Sequence, residues 1–464
     1  METQQTPKAP SRIIIIGAGA AGLYAAKCLK EKGVQICILE ASAKHGGRVR
    51  DMHDENFSDF PICLGAENIH GSKNQEGPNP SFLYADIKAL DAKRLVRCWK
   101  AKRSQDELYF IDGKTVWDTS YEDDEIDEVW DFWDQAYEYS GPDITMAELL
   151  QSKGITPQSR TWHFYESLIG GEYGTSIERL GMNSFSLSSD LWLSGEKDFS
   201  IDGHSYLSTL EELYFSTVLD DIIYSSPVVR IKETDYGVLV EDTNGNFFSG
   251  NAVIITASLA VLKDDIIDFV PPLPDSKREA INTIGMDAIL KVVLTFHTTF
   301  WKKKRMFGLL GPDLSSICWA PGKLQTGARN NVLISYITGK RAERIRQHTK
   351  EEAIAILLAE LDQVFPPNLA SKNFSDYFWM DWKDEPYIRG GYSYPAPNTM
   401  TAAGASKRDE LAKPIRGRLY FAGEATAKHH PATVHGALES GRRVANEVIE
   451  MLYNMERDNS KKNH

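Results

Sequence analysis

Three stretches of this sequence bring together residue types able to do chemistry. In "RIIIIGAGAAGLYAAKCLKEKGVQICILE", Gly17, Gly19 and Gly22 have the GxGxxG spacing and Glu40 closes the segment. Glycines so spaced permit a tight turn, close approach of a pyrophosphate and contact between helix and strand; an acid about 20 residues on accepts hydrogen bonds from ribose hydroxyls. In "GMDAILKVVLTF", Lys291 lies inside an apolar strand-like run, where an unpartnered ammonium is costly. Such a lysine either snorkels from an edge strand or has a task. In "AGEATAKHHPATVHGALESG", Gly423, Glu424, Pro431 and Thr433 precede a run of small residues that opens a helix. Helix N-termini stabilise negative charge, so this stretch reads as the second half of a ligand site.

The elements around these residues follow from local pattern. Residues 12–40 read as strand, glycine turn, Ala-rich helix, Gly stop and second strand, the context a dinucleotide site requires. Residues 81–195 lose that texture and include "YEDDEIDEVWDFWDQAYEY", which reads as a surface helix with a solvated acidic face and an inner face carrying Trp130 and Trp133. Strand pattern returns in "SSPVVRIKETDYGVLVEDTNGNFFSGNAVIITAS", with a turn at Asn244 and Gly245. The C-terminal "MERDNSKKNH" reads as a frayed polar tail. His429 and His430 read as surface or lining residues, since adjacent histidines point apart and make no metal pair; His435 reads as a packed helix residue.

A chain of 464 residues exceeds one ordinary core, so two domains are expected. A hydrophobic share of 42% with 25% charged residues places it among globular proteins. The net charge of −13 argues against nucleic acid as a partner, because a phosphate backbone needs a basic surface. The five cysteines are scattered and odd in number, residues 1–11 lack an apolar signal core, and no apolar run is long enough to span a membrane. These features give the expectation of a cytoplasmic protein that neither enters a membrane nor binds a metal.

The tail after Glu40, "ASAKHGGRV", places Gly46, Gly47 and Arg48 close behind the acid. It resembles the flavin-containing amine oxidases, in the branch of polyamine oxidases and lysine-specific histone demethylases. The resemblance rests on residues 12–72, 285–296, 378–394 and 418–441. It implies FAD, bound non-covalently, with Arg48 at the pyrophosphate and Lys44 where the family usually has Arg. The cofactor residues it implies are Gly17, Gly19, Ala20, Ala21, Gly22, Glu40, Ala41, Gly47, Arg48, Leu64, Gly65, Ala66, Glu67, Val229, Trp382, Tyr387, Gly423, Glu424, Thr433 and Val434. Within "LGAENIHGS" the Leu-Gly-Ala turn would lie against the isoalloxazine, and the backbone at Val229 would meet adenine. Ser258 stands where the family usually has Pro.

The resemblance also assigns chemistry. Lys291 would hold a water against flavin N5, and Tyr392 in "FWMDWKDEPYIRGGYSYPAP" would wall the flavin face. Gly391 stands where monoamine oxidases carry the Cys that binds flavin covalently, so no covalent link is expected. Glu424 would meet the ribityl–pyrophosphate region. Pro431 is read as a first-turn helix residue, with Thr433 and Val434 presenting N–H groups to the flavin pyrimidine. Thr433 replaces a Tyr of the monoamine oxidases and leaves a roomier site, suited to a long or bulky secondary amine and not to a small aromatic monoamine. His70 and Glu172 are the candidates for recognising distal ammonium groups.

The activity implied is removal of a hydride from the carbon beside an amine nitrogen. The imine then hydrolyses to aldehyde and amine, and oxygen is reduced to hydrogen peroxide. The substrate is expected to be a small polycationic amine. The fold expected is α/β: a discontinuous Rossmann-type FAD-binding domain (8–80, 196–284 and 398–455) with a mixed α+β substrate-binding domain (81–195 and 285–397). Three other readings stay open. An L-amino-acid oxidase would use Arg389 or Arg179 for the substrate carboxylate; a non-catalytic flavin-binding protein would use the same fold. An NAD-dependent dehydrogenase would leave 418–441 without purpose.

Overall fold

The computed structural model describes residues 12–72, 81–98, 108–112, 115–118, 124–195, 197–301, 308–310, 314–329, 331–401 and 404–462. Residues 1–11 and the side chain of Trp130 lie outside them. Four consecutive isoleucines make Arg12–Ile16 a strand apolar on both faces, as a covered parallel sheet demands. It pairs in parallel with Gln35–Leu39 on one side and Ala252–Ile255 on the other; Ile222–Ile223 and Leu419–Phe421 complete the five-stranded sheet. Strand alternation then sorts the side chains. Ile13 and Ile15 pack with Leu23, Leu438 and Val444 of two helices, Ala20–Glu31 and Val434–Lys462. Ile14 and Ile16 pack on the other face with Val238 and Val240. The two helices touch closely at Gly441, where a Cβ would press on the Ala21 carbonyl.

The expected meander forms a second sheet, in the order Phe247–Gly250, Gly237–Asp242, Val228–Thr234, Asp268–Val270. Its turn at Asn244 and Gly245 is held by Asp242, which accepts from the backbone of Asn244 and Asn246. The chain is thus α/β with a parallel sheet, as the sequence predicts.

A third sheet is antiparallel, in the order Ile317–Trp319, Val332–Thr338, Ile289–Phe296, Phe374–Asp381. Ile289–Phe296 is central and wholly buried. Its even-numbered residues Leu290, Val292 and Leu294 pack with Leu357 of the helix Lys350–Val364. Its odd-numbered residues Ile289 and Val293 face Leu64 and Trp382. The two-residue period therefore puts Lys291 on the Leu64 face. A helical cluster drawn from Asp124–Tyr137, Met146–Ser152, Arg160–Tyr173 and Met182–Asp190 stands beside this sheet.

Among the described residues no helix is long and apolar enough to cross a membrane, no group of side chains could hold a metal ion, and the five cysteines are unpaired. The C-terminal expectation is corrected: the helix Val434–Lys462 runs through the supposed tail. No Gly or Pro follows Gly441, and Met, Glu, Arg and Lys favour a helix.

Candidate active site

A cavity of about 1340 Å³ lies between the glycine turn, the strand ends of the parallel sheet and the Lys291 face of the antiparallel sheet. All the sequence-derived site residues line it except Gly22. Gly22 acts from behind: a Cβ there would sit on the Gly17 carbonyl, so its role is the close seating of helix on turn. Gly17 takes φ +100°, and a Cβ would fall 2.6 Å from Thr256 Oγ1. Gly19 differs, since nothing in the protein lies within 4 Å of the Cβ it lacks. It caps the helix Ala20–Glu31 without a side-chain hydrogen bond, leaving first-turn N–H groups for an anion. Glu40 is aimed by the Ala18 N–H (2.7 Å) and by the Ser42 N–H and hydroxyl (2.9 and 2.7 Å). Open space at Gly19, a helix N-terminus and a fixed acid at the strand tip fit a dinucleotide.

Midway along the cavity, Lys291 is only 3% exposed. Its Nζ donates to the carbonyls of Cys63 (2.8 Å) and Gly65 (3.2 Å) and to Glu67 Oε2 (3.0 Å). An ammonium has three donors and all are engaged, so a water could be held only at the expense of the longest bond, to Gly65. Glu67, read from sequence as a cofactor residue, is the counter-ion of Lys291 and also accepts from Trp319 Nε1 at 3.1 Å. Trp382 donates to the Leu64 carbonyl (3.1 Å) and carries the Arg50 guanidinium 5.1 Å from its ring. Tyr392 meets the Tyr336 hydroxyl at 3.1 Å, and burial raises the pKa of both phenols, keeping them neutral donors. At Gly391 a Cβ would collide with Ile289, so this backbone has no place for a side-chain nucleophile.

The far end is acidic. Glu172, at the end of the helix Arg160–Tyr173, turns its carboxylate into the lumen. Its depth raises its pKa, and Asp198 adds to the rise while His70 opposes it. His70 Nδ1 pairs with Asp198 Oδ1 at 2.8 Å. Burial would lower the imidazole pKa, but Asp198 outweighs it and the net shift is upward. Asp190 and Asp134 also line this end, with Trp133, Tyr137 and Trp192. The acidic helix Asp124–Tyr137 is therefore not wholly a surface element: its last turn closes the chamber.

The C-terminal stretch differs most from expectation. Glu424 is buried, accepting from Arg48 Nη1 (2.8 Å), the Ser393 hydroxyl (2.6 Å) and the Ala432 N–H (3.0 Å). Burial would raise its pKa, yet Arg48, Arg408 and Ser393 reverse this and hold it below the usual carboxylate range. The helix starts at Val434, so Pro431 is outside its first turn. Thr433 is the cap: its hydroxyl accepts from the Gly436 N–H (3.0 Å) and donates to the His430 carbonyl (2.8 Å). That leaves the Val434 N–H free of intrahelical bonding and the Thr433 hydroxyl occupied. His430 is buried against Glu439 rather than lining the cavity; His435 is buried and its pKa pushed well down, first by burial.

Asp198, Tyr336 and Trp319 escaped the sequence reading because no local pattern marks them. Their signal is register: Lys291 lies opposite Tyr336, and Trp319 sits on the strand beyond it. Arg179 is bound to Asp287 and Glu343, and Arg389 to Asp264; neither reaches the cavity.

A family model described as flavin containing amine oxidoreductase matches residues 20–449. "Lysine-specific histone demethylase 1B" of Mus musculus is 28% identical, over 94% of this chain and 52% of its own length. "Polyamine oxidase 4" of Oryza sativa subsp. japonica is 26% identical, over 94% of this chain and 88% of its own. The chain spans between 30% and 58% of the length of such lysine-specific demethylase relatives, 30% in "Lysine-specific histone demethylase 1 homolog 3" of Arabidopsis thaliana. Among solved structures, a putrescine oxidase bound to putrescine superposes with a TM-score of 0.75 at 17% identity, covering 96% of this chain and 100% of that one. Cyclohexylamine oxidase from Brevibacterium oxydans IH-35A gives 0.74 at 20% identity, with the same coverage.

Proposed function

The chain belongs to the flavin-containing amine oxidoreductases, and from that premise we propose that it oxidises a small polycationic amine, a polyamine, at a carbon next to nitrogen, with oxygen as the electron acceptor. The observation that carries this reading is one continuous cavity joining the glycine turn to Lys291 and on to the lumenal carboxylate of Glu172. FAD would be held by the Gly19 turn, Glu40, Arg48 and the N-terminus at Val434, and when bound supplies the two-electron acceptor for the departing hydride.

The chain's own groups do the rest. Glu172, Asp134 and Asp190 give acceptors for distal ammonium groups. Tyr392, Tyr336 and Trp319 wall the passage and exclude water. An alkylamine ordinarily has a pKa of about 10, and such aromatic surroundings favour its neutral form, which alone can release the hydride. Lys291 and Glu67 fix the Gly65 turn, which faces the cavity. Oxidation of L-amino acids needs a cation for a carboxylate on the reacting carbon itself, and the two arginines drawn from the sequence for that task are bound elsewhere.

The test is anaerobic bleaching of the bound flavin with spermine, spermidine, acetylated polyamines, monoamines, L-amino acids and a methyl-lysine peptide. Polyamines, free or acetylated, are expected to bleach it faster than monoamines or L-amino acids. If none of the panel reduces the flavin, the enzymatic reading fails.

A further inference from the structure

Four arginines line the cavity, and three have acceptors in the protein: Arg48 on Glu424, Arg50 on Glu385 and Arg408 on Ser393. Arg97 is the exception. It ends the strand Leu95–Arg97, which pairs with Phe199–Ile201, and the Cys98 N–H donates to the Asp198 carbonyl at 3.0 Å. It therefore stands on the wall that carries the Asp198–His70 pair. Its Nε is sealed in the protein without an acceptor, and among the described residues its guanidinium makes no ion pair or hydrogen bond.

A guanidinium is a rigid planar fork, permanently charged and matched to a pair of lone pairs on a carbonyl or carboxylate. At a wall that otherwise attracts cations, an unpaired fork repels a substrate that is cationic along its whole length. It favours one that presents an oxygen there. We propose that Arg97 is a specificity-determining residue: it selects an amine whose non-reacting end carries an amide carbonyl or a carboxylate, while Glu172 takes an ammonium of the same molecule. This rests on the amine-oxidation reading and narrows its substrate class.

Three probes of one skeleton test it: spermidine, N-acetylspermidine and putreanine, in which a carboxylate replaces one terminal aminomethyl group. Binding to the FAD-loaded protein is read first, from the perturbation of oxidised-flavin absorbance, and anaerobic reduction second. In Arg97→Met the Kd should rise about tenfold to a hundredfold for the two oxygen-bearing probes, as for loss of a charged hydrogen bond, while spermidine binds as well or better. Preference for putreanine over N-acetylspermidine would identify a carboxylate, the reverse an amide. Equal shifts for all three probes, no shift, or no binding of either oxygen-bearing probe to the wild type overturns the proposal. Should Arg97→Met fail to fold, Arg97→Lys keeps the charge without the fork; the oxygen-bearing probes must still weaken more than spermidine, and an equal change refutes the idea. Wild-type protein that binds the probes without flavin reduction would sink the oxidase reading while leaving the selectivity of Arg97 measurable.

Discussion

Replacing Lys291 by Met separates two roles this residue could play, as a strut and as part of the chemistry. The substitution removes the three bonds to Cys63, Gly65 and Glu67 and leaves the Glu67 carboxylate with only the Trp319 N–H. Stripping one partner from a buried ion pair costs about 3–5 kcal/mol, chiefly because the other charge stays buried. K291M should therefore melt well below wild type while still binding FAD, because the Gly19 turn, Glu40, Arg48 and the N-terminus at Val434 keep their places. Adding E67Q removes the stranded charge and keeps an acceptor for Trp319, so K291M/E67Q should recover most of the loss. The reaction should behave differently. Stopped-flow reduction or reoxidation of the flavin is expected to slow about a hundredfold in K291M, the size of a lost positioned polar group, and to stay slow in the double variant. If K291M/E67Q regains both stability and rate, Lys291 merely holds the Gly65 turn in place and the chemical role is wrong.

The two glycines of the turn should fail in opposite ways. Gly22→Ala drives a Cβ onto the Gly17 carbonyl and should lower apoprotein stability by about 1–3 kcal/mol; Gly19→Ala should leave the apoprotein melt unchanged but weaken FAD binding in a titration. Glu172→Gln should raise KM for a polyamine about tenfold to a hundredfold with little change in kcat, and leave KM for a simple monoamine unmoved. The His70 pKa is raised in the folded protein, so the His70–Asp198 pair contributes fully below about pH 6.5 and fades as pH rises through the folded value. His70→Gln should flatten the pH dependence of the melting temperature in that window. The Glu424 pKa is lowered, so its contribution is present above about pH 4.3 and is lost as pH falls through the lower folded value. Flavin fluorescence should report acid release with a midpoint below that figure.

What could be read from the sequence is what chemistry writes locally. Gly17, Gly19, Gly22 and Glu40 announce themselves by spacing, and Lys291 by its misfit with an apolar strand. The partner that resolves the misfit is 224 positions away, and nothing near Glu67 shows that it neutralises a lysine. Thr433 was legible as a special position, but its use as a cap depended on where the helix begins, and Pro431 was a misleading start signal. His430 looked solvent-facing in a polar stretch; Glu439 one helix turn into Val434–Lys462 folds back to bury it. The acid-rich helix Asp124–Tyr137 read as a surface because composition does not tell which end abuts a chamber. Arg97 lies in a segment with no motif, and only the pairing of Leu95–Arg97 with Phe199–Ile201 brings it to Asp198.

The order of strands in the parallel sheet has a consequence for biosynthesis. Arg12–Ile16 has one sheet neighbour close behind it, but the other begins 239 positions later, at the Arg12–Asn251 contact. The wall opposite the glycine turn waits longer still, until Val434 has emerged. At about 5–20 residues per second, roughly twenty to eighty seconds separate the two halves of the nucleotide site on the ribosome. For the first part of that interval, until Ala252–Ile255 has emerged, a strand with four isoleucines among its five residues has an open edge, the kind of surface that seeks another chain. FAD cannot serve as a co-translational scaffold here, because half of its binding surface has not yet been made. Riboflavin shortage would accordingly leave a fully synthesised chain waiting in the apo form, and not one stalled early in folding.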